Sequence, residues 1–371
     1  MIPLDRERLA QALLLAEEAI GLSEPNPRVG CVIGLADGRV LATGHTQAAG
    51  QAHAEAAALA QARARGVDVR GATAWVTLEP CAHHGRTPPC ADALVAAGLA
   101  RVVVGVGDPF EHVAGRGIAR LRAAGIQVDE AASLGLDDLA PACKELNIGF
   151  FSRCERQRPW VRLKAAASLD GRTALPDGTS QWITSEQARK DGHAFRRRAG
   201  AVLSGIGTVL EDNPRLDVRW VPTQVQPVRV IVDSHLMTPL DAQVLAPPGA
   251  VWLAHAADEP ARAQALAARG AELLHLPGAG GKVDLAALMH ELARRQVNEL
   301  HVEAGHKLNA SLLKAGLVDE LLLYLAPTLL GEGREIAAIG RLASLSDATR
   351  WRFTSLQPCG PDIRLMLRPL P

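Results

Sequence analysis

Thr77-Leu78-Glu79-Pro80-Cys81-Ala82-His83-His84-Gly85-Arg86-Thr87-Pro88-Pro89-Cys90 lies between an apolar run at 74–78 and an alanine-rich stretch at 91–97 that stops at Gly98. The segment predicts a strand, a loop rich in Cys, His and Pro, and then a helix. Upstream, His53-Ala54-Glu55 opens a second alanine-rich stretch, 53–65, stopped by Gly66 in the usual place of a helix C-terminal glycine. One imidazole and two thiolates, His53, Cys81 and Cys90, make a Cys2His set that leaves the fourth tetrahedral position of zinc open for water. Zn2+ lowers the pKa of such a water to about 7. Glu55, two residues from His53, is near enough to shuttle a proton without ligating. The order matches the His-x-Glu then Pro-Cys-x-x-Cys pattern of zinc deaminases, with a wider interval between the cysteines. Recruitment of His83 or His84 as a fourth ligand would instead close the site and make a zinc purely structural.

Outward from this stretch the first half alternates helix and strand signals. Leu9, Ala12, Leu13, Ala16 and Ile20 mark one face of an opening helix that Gly21 can end. Residues 29–35 and 40–42 flank an Asp37-Gly38 hairpin turn. A strand at 101–106, a helix at 118–124 and a strand at 126–128 complete a three-layer α/β domain. Arg153, Glu155, Arg156 and Arg158 cluster before Pro159 and place the boundary: a first domain over 1–147, a linker over 148–158 and a second domain over 159–371.

Composition bounds the partners. The chain has 371 residues, with 40 Lys+Arg against 40 Asp+Glu, and aromatics make up 3%. Zero net charge and few aromatics argue against nucleic acid and acidic membranes, so a small molecule is the expected partner, with homo-oligomers left open. The charged N-terminal stretch Asp5-Arg6-Glu7-Arg8 does not read as a signal peptide, and the apolar run 321–330 is too short to span a bilayer. Six cysteines are too sparse for a disulfide framework, which points to a reducing cytoplasm. Cys31, Cys143, Cys154 and Cys359 lack partners at metal spacing and read as packing or surface residues.

The second half restarts with a strand at 161–166. Further strands are expected at 201–204, 228–232, 251–254, 300–302 and 321–325, with helices at 186–198, 261–268, 285–295 and 310–315. Strand-like runs at 351–354 and 363–367 suggest an antiparallel edge. Gly205-Ile206-Gly207 lacks the third glycine of a Rossmann fingerprint, so that fold is not favoured. Polar clusters sit at strand ends instead, where open α/β sheets bind ligands. They are 168–172, 180–184, 207–214, Asp233-Ser234 and Glu303-Ala304-Gly305. Lys164, on the first strand, reads equally as a proton-transfer residue of this site and as a solvated strand-end lysine.

Asn26 in Pro25-Asn26-Pro27-Arg28-Val29-Gly30-Cys31, His53-Ala54-Glu55, and the segment from Thr77 through Cys90 resemble the bifunctional deaminase/reductase family of riboflavin biosynthesis. The likeness continues through Asp108-Pro109 and Gly115-Arg116-Gly117 over nearly the whole chain. It implies a cytidine-deaminase-like domain followed by a dihydrofolate-reductase-like domain. By it, His53, Cys81 and Cys90 hold Zn2+ and Glu55 is the proton shuttle. The implied substrate is a phosphorylated diaminopyrimidine, which Asn26 can meet as donor and acceptor while His83 and Arg86 hold phosphate. In the second domain the resemblance implies NADPH. Its contacts fall on Ala167, Trp182, Thr208, Asp212, Ser234 and the stretch Gly305, His306, Lys307, Leu308, Asn309, Ala310 and Ser311. Ser180, Arg196, Leu216, Arg219 and Glu303 match the family's substrate contacts. The chain departs from the pattern at Phe110-Glu111, which receives no role, and at Gly305-His306-Lys307, where family members often have Gly-Pro at 305–306. Two other readings are a nucleic-acid-editing deaminase and a zinc-stabilised binding module. Charge and the wide cysteine interval oppose the first, and Glu55 opposes the second.

Overall fold

The computed structural model describes residues 2–82 and 88–370, which fall into two units, Met1–Gln157 and Arg158–Pro371. The first unit runs α1 (Ile2–Glu17), β1 (Gly30–Gly34), β2 (Val40–His45), α2 (Ala54–Ala64), β3 (Thr73–Val76), α3 (Cys90–Ala96), β4 (Arg101–Val104), α4 (Arg116–Ala123), β5 (Gln127–Glu130), α5 (Leu139–Leu146) and α6 (Ile148–Arg156). Its sheet has the order β2-β1-β3-β4-β5, antiparallel across β2, β1 and β3 and parallel across β3, β4 and β5. Strand alternation divides the core into two faces. Cys31, Ile33, Ala74 and Val102 pack with α2 and α3 residues, whereas Val32, Trp75 and Val103 pack with Ala12 of α1. This is the three-layer arrangement expected from the sequence.

Two glycines allow these layers to close. A Cβ on Gly30 would stand 1.8 Å from the Ala12 carbonyl oxygen, and one on Gly44 would stand 2.4 Å from that of Ala54. The hairpin turn has Gly38 at φ 91°, beside an Asp37 carboxylate that accepts the Arg39 N–H at 2.9 Å. Asp5, read from the sequence only as an N-terminal charge, is buried. Its carboxylate accepts Trp75 Nε1 at 2.8 Å and Arg101 Nη1 at 2.7 Å.

The segment expected to be a linker over 148–158 is instead mostly helix α6, with Phe150 and Phe151 in the first unit's core. Of the charged residues that suggested a linker, Arg153, Glu155 and Arg156 lie in this helix at partly or fully exposed positions and Arg158 follows it, so composition alone hid its apolar residues.

The second unit runs β6 (Trp160–Ser168), β7 (Arg172–Ala174), α7 (Glu186–Arg198), β8 (Ala201–Gly205), α8 (Ile206–Asp212), β9 (Val228–Val232), β10 (Val251–His255), α9 (Pro260–Ala267), β11 (Ala271–His275), α10 (Leu285–Arg294), β12 (Glu299–Val302), α11 (His306–Lys314), β13 (Glu320–Ala326), β14 (Arg334–Glu335), β15 (Trp351–Cys359) and β16 (Asp362–Pro369). Nine strands form one sheet in the order β11-β10-β9-β8-β12-β6-β13-β16-β15. Only β15 and β16 run antiparallel to their neighbours, giving the expected antiparallel edge. β7 and β14 form a separate two-stranded ribbon. Apolar clusters cover both sheet faces, as a parallel sheet requires. The inner strands also carry a buried charge network. Arg162 of β6 bridges Glu299 of β12 at 2.8 Å and Glu320 of β13 at 2.6 Å, while Arg198 and Arg368 bind those glutamates from outside.

Candidate active sites

In the first unit, His53 caps the N-terminus of α2 and Cys90 is the first residue of α3, so two helix starts deliver two of three candidate ligands. His53 Nδ1 lies 3.6 Å from Cys81 Sγ and 3.5 Å from Cys90 Sγ, and the three ligand atoms fall within 4.8 Å of one another. Tetrahedral zinc with Zn–S of about 2.3 Å and Zn–N of about 2.0–2.1 Å has an N···S edge of roughly 3.6 Å, so the triangle fits the ion. The Cys90 thiol and its backbone N–H both donate to Cys81 Sγ, the latter at 3.3 Å. With His53 alongside, this pulls the Cys81 thiol down to about 4, the thiolate form that a metal needs.

Glu55, in the first turn of α2, is buried. Burial, followed by the charge of Cys81, raises its carboxyl above the ordinary range. A buried carboxyl with a raised pKa is suited to accepting and passing on a proton. Among the described residues no fourth protein ligand joins the triangle. His83, His84 and Arg86 lie outside the described residues.

Glu79, quoted in the deciding motif but given no role there, organises the loop before Cys81. Its buried carboxylate accepts Asp108 N at 3.2 Å, Gly115 N at 3.0 Å, Gly117 N at 2.9 Å and Ile118 N at 3.1 Å. The last three amides belong to the start of α4, where a carboxylate satisfies otherwise orphaned donors. Gly117 is required there, because a Cβ would stand 1.9 Å from the Pro80 carbonyl oxygen. A glutamate directly before Pro-Cys was the available signal, but its partners lie 29 to 39 positions away. Burial pushes the Asp108 carboxyl up to about 7, with the neighbouring Glu79 and Cys81 charges adding to the effect. Asn26 stands on the loop before β1. Arg28 fixes that loop by donating to the Leu146 carbonyl at 3.0 Å and to Glu24 at 3.0 Å.

In the second unit a cavity of about 500 Å³ is lined by Lys164, Ser180, Trp182, Arg196, Thr208, Asp212, Leu216, Arg219, Glu303, Gly305, His306 and Asn309, all singled out in the sequence. It opens beside the ends of β6, β8 and β12, where the strand order reverses. Ala167, Ser234, Lys307, Leu308, Ala310 and Ser311 do not line it. Ala167 and Ala310 are buried, Ser234 Oγ accepts Val283 N at 3.2 Å, and Ser311 Oγ donates to the Lys307 carbonyl at 3.1 Å.

Glu303 is the electrostatic centre of this cavity. It is bidentate with Arg196, through Nε on Oε1 and Nη2 on Oε2, and Lys164 Nζ lies 3.9 Å away. Burial acts to raise the Glu303 carboxyl, but Arg196 and Lys164 outweigh it and hold it well below the usual range. Burial lowers Lys164, and Arg196 adds to that, while Glu303 opposes. Lys164 is therefore a half-buried cation facing the cavity rather than a solvated strand end. Arg189, on α7, lies 4.4 Å over the exposed Trp182 ring and keeps it at the cavity wall.

For the cofactor implied by the resemblance, the fit rests on α11. Gly305, His306 and Asn309 of its first turn line the cavity, and the first N–H groups of a helix have no intrahelical partner and suit an anion. Asn309 is 2% exposed, donates Nδ2 to the Ile336 carbonyl at 2.9 Å and leaves Oδ1 on the same wall without a partner among the described residues. A dinucleotide offers both an anion for the amides and a hydroxyl or amide donor for that oxygen.

Fold and sites together define a deaminase unit with a zinc-type Cys2His centre, followed in the same chain by a reductase-type α/β unit. Residues 3–106 match the zinc-binding region of cytidine and deoxycytidylate deaminases, and residues 159–365 match the RibD C-terminal domain. The chain belongs to the family of riboflavin biosynthesis protein RibD. It is 44% identical to that protein of Escherichia coli K12 over 98% of this chain and 99% of the relative. It is 39% identical to that of Aquifex aeolicus over 98% of each. The solved RibD of Acinetobacter baumannii superposes with a TM-score of 0.89, 38% identity and complete coverage of both chains. A diaminohydroxyphosphoribosylaminopyrimidine deaminase/5-amino-6-(5-phosphoribosylamino)uracil reductase from Thermotoga maritima gives 0.87 at 31% identity, covering 100% of this chain and 99% of the other.

Proposed function

We propose that the chain performs two successive steps of riboflavin synthesis. The first unit hydrolytically deaminates 2,5-diamino-6-ribosylamino-4(3H)-pyrimidinone 5′-phosphate at its exocyclic C2 amine. The second reduces the ribosyl group of 5-amino-6-(5-phosphoribosylamino)uracil to ribityl with NADPH. The carrying observation is the His53, Cys81 and Cys90 triangle beside the buried Glu55.

Zinc held by His53, Cys81 and Cys90 would lower the pKa of a water to about 7 and so make hydroxide available at neutral pH. Glu55 accepts a proton from the attacking water and passes it to the ring nitrogen, then takes the proton of the newly added hydroxyl and passes it to the leaving amine, which departs as ammonia. Asn26 meets the pyrimidine or ribose, with His83 and Arg86 assigned to the phosphate. In the second unit NADPH, when bound in the cavity, would supply the hydride that reduces C1′ of the opened sugar. Trp182, Thr208, Asp212, Ser234 and the first turn of α11 are assigned to its binding. Ser180, Leu216 and Arg219 take the substrate. Glu303 and Lys164 stand where they can orient the sugar and deliver the proton that accompanies hydride.

The deciding experiment supplies the diaminopyrimidine phosphate with and without NADPH and identifies the products. Ammonia and the aminouracil phosphate are expected without cofactor, and the ribityl product with it. Absence of ammonia from zinc-loaded protein would overturn the deaminase half. Equal kcat/KM with NADPH and NADH would overturn the cofactor choice.

A further inference from the structure

We propose that Arg334 and Glu211 form a clasp that holds residues 331–338 as a strap along the cofactor end of the second unit's cavity and slows release of the dinucleotide. This deepens the reductase reading and rests on it. The strap is tied along its length. At its start the Asp170 carboxylate accepts the Leu330 N–H at 3.1 Å and the Gly331 N–H at 2.7 Å, and Arg172 Nε donates to the Gly331 carbonyl at 3.0 Å. In its middle β14 pairs with β7, and Gly333 approaches so closely that a Cβ would stand 2.3 Å from the Ala174 carbonyl oxygen. Toward its end the Ile336 carbonyl accepts Asn309 Nδ2 at 2.9 Å, and the Ala338 N–H donates to the His306 carbonyl at 3.0 Å. Those two bonds fasten the strap to the first turn of α11. The Arg334 side chain reaches the other way, to α8, where Nη1 donates to Glu211 Oε2 at 2.7 Å.

Arg334 and Glu211 both line the cavity, one from the β7–β14 ribbon and one from α8. Among the described residues their pair is the one hydrogen-bonded link between the strap and α8. α8 carries Thr208 and Asp212, and α11 carries the turn assigned to NADPH, so the strap joins the two helices that take the cofactor. The guanidinium is backed by the 175–179 turn, because a Cβ on Gly178 would stand 2.8 Å from Arg334 Nη2. A pair closed between two walls resists the widening that lets a long ligand out, so its loss falls on the off-rate. Arg334 acting simply as a cation for the cofactor's phosphates makes the opposite prediction at Glu211. Burial, then the charge of Glu211, raises the Asp212 carboxyl, and Arg334 opposes them. If charge alone counted, removing the Glu211 carboxylate would help an anionic dinucleotide to stay; in a clasp it frees the strap and hastens departure.

The test measures NADPH binding to the full chain by nucleotide fluorescence, and its release by stopped-flow displacement, both without turnover. The two side chains are 29% and 53% exposed, and an ion pair at such a site is worth up to about fivefold in an equilibrium constant. Arg334→Gln and Glu211→Gln should each speed release and weaken binding by about two- to fivefold. At saturating NADPH and aminouracil phosphate, kcat should change less than about twofold, which also reports that the variant unit is folded. Exchanging the pair, Arg334→Glu together with Glu211→Arg, should return release toward the wild-type rate. Unchanged or slower release from Glu211→Gln would overturn the clasp while leaving the reductase reading intact. A wild-type chain that binds no NADPH would overturn the cofactor reading itself, and the clasp with it.

Discussion

His193 of α7 ties a single proton to the shape of the reductase site. Its ring stacks on Trp220 at 5.3 Å, and its Nδ1 accepts the Arg219 backbone N–H at 3.3 Å, a bond that only the unprotonated nitrogen can make. Burial, then the charges of Arg196 and Arg219, lower its pKa to about 4. The folded chain therefore stays unprotonated at this ring between about pH 4 and the unfolded value near 6.5, while the unfolded chain binds a proton. Stability contributed here is complete above pH 6.5 and declines as pH falls toward 4, by on the order of 2 kcal/mol. Denaturant unfolding at pH 7.5 and pH 5 should show that loss in the wild type and a smaller one in His193→Gln. Equal losses would remove His193 from the account. Glu79 acts at the same scale: one carboxylate collecting four amides fixes the backbone that presents Cys81.

Elements of the second unit are fastened by Arg162. One side chain on β6 joins β12 and β13 through two buried glutamates, and Glu299 and Glu320 also receive Arg198 and Arg368. Removal of one member of such a buried network leaves charge uncompensated and costs about 3–5 kcal/mol. Arg162→Ala should lose stability on that order in urea unfolding, with a midpoint shift and little change in the activity of the protein that remains folded. A loss below 1 kcal/mol would mean that water readily replaces the guanidinium. The sequence reading placed helix α7 to the residue, and most strands within one or two positions because those strands are continuous apolar runs. It missed α8, where a seven-residue helix follows a strand directly. It also missed the first turn of α11, where Gly305-His306-Lys307 offers no apolar periodicity and the helix begins at His306.

At the scale of the molecule, each unit has its own sheet and core, and the two proposed chemistries draw on separate residues. Glu55→Gln keeps side-chain size and removes the proposed proton carrier, a group typically worth about 10²–10⁴-fold in rate. The variant should keep its zinc, release ammonia at least 100-fold more slowly, in line with that range, and still oxidise NADPH at a near-normal rate with the aminouracil phosphate. Parallel loss of both activities with zinc and fold intact would show that the sites are coupled. Metal content by elemental analysis, ammonia release and NADPH absorbance together distinguish these outcomes.

The zinc triangle, Glu55 and the division into a deaminase and a reductase unit were legible in the sequence. Their residue types and spacing are dictated by chemistry that tolerates little change: an open tetrahedral site needs three soft or imidazole ligands, and a shuttle needs a nearby carboxyl. Tertiary structure alone decided which of the polar strand-end residues share a cavity, because Lys164, Arg196 and Glu303 meet only through the β8-β12-β6 strand order. It alone gave Glu79 its four amides and Arg334 its partner Glu211 on α8. It also turned an expected linker into helix α6. Hydrogen-bond partners are set by which distant backbone folds back within about 3 Å, and no local pattern of residues carries that information.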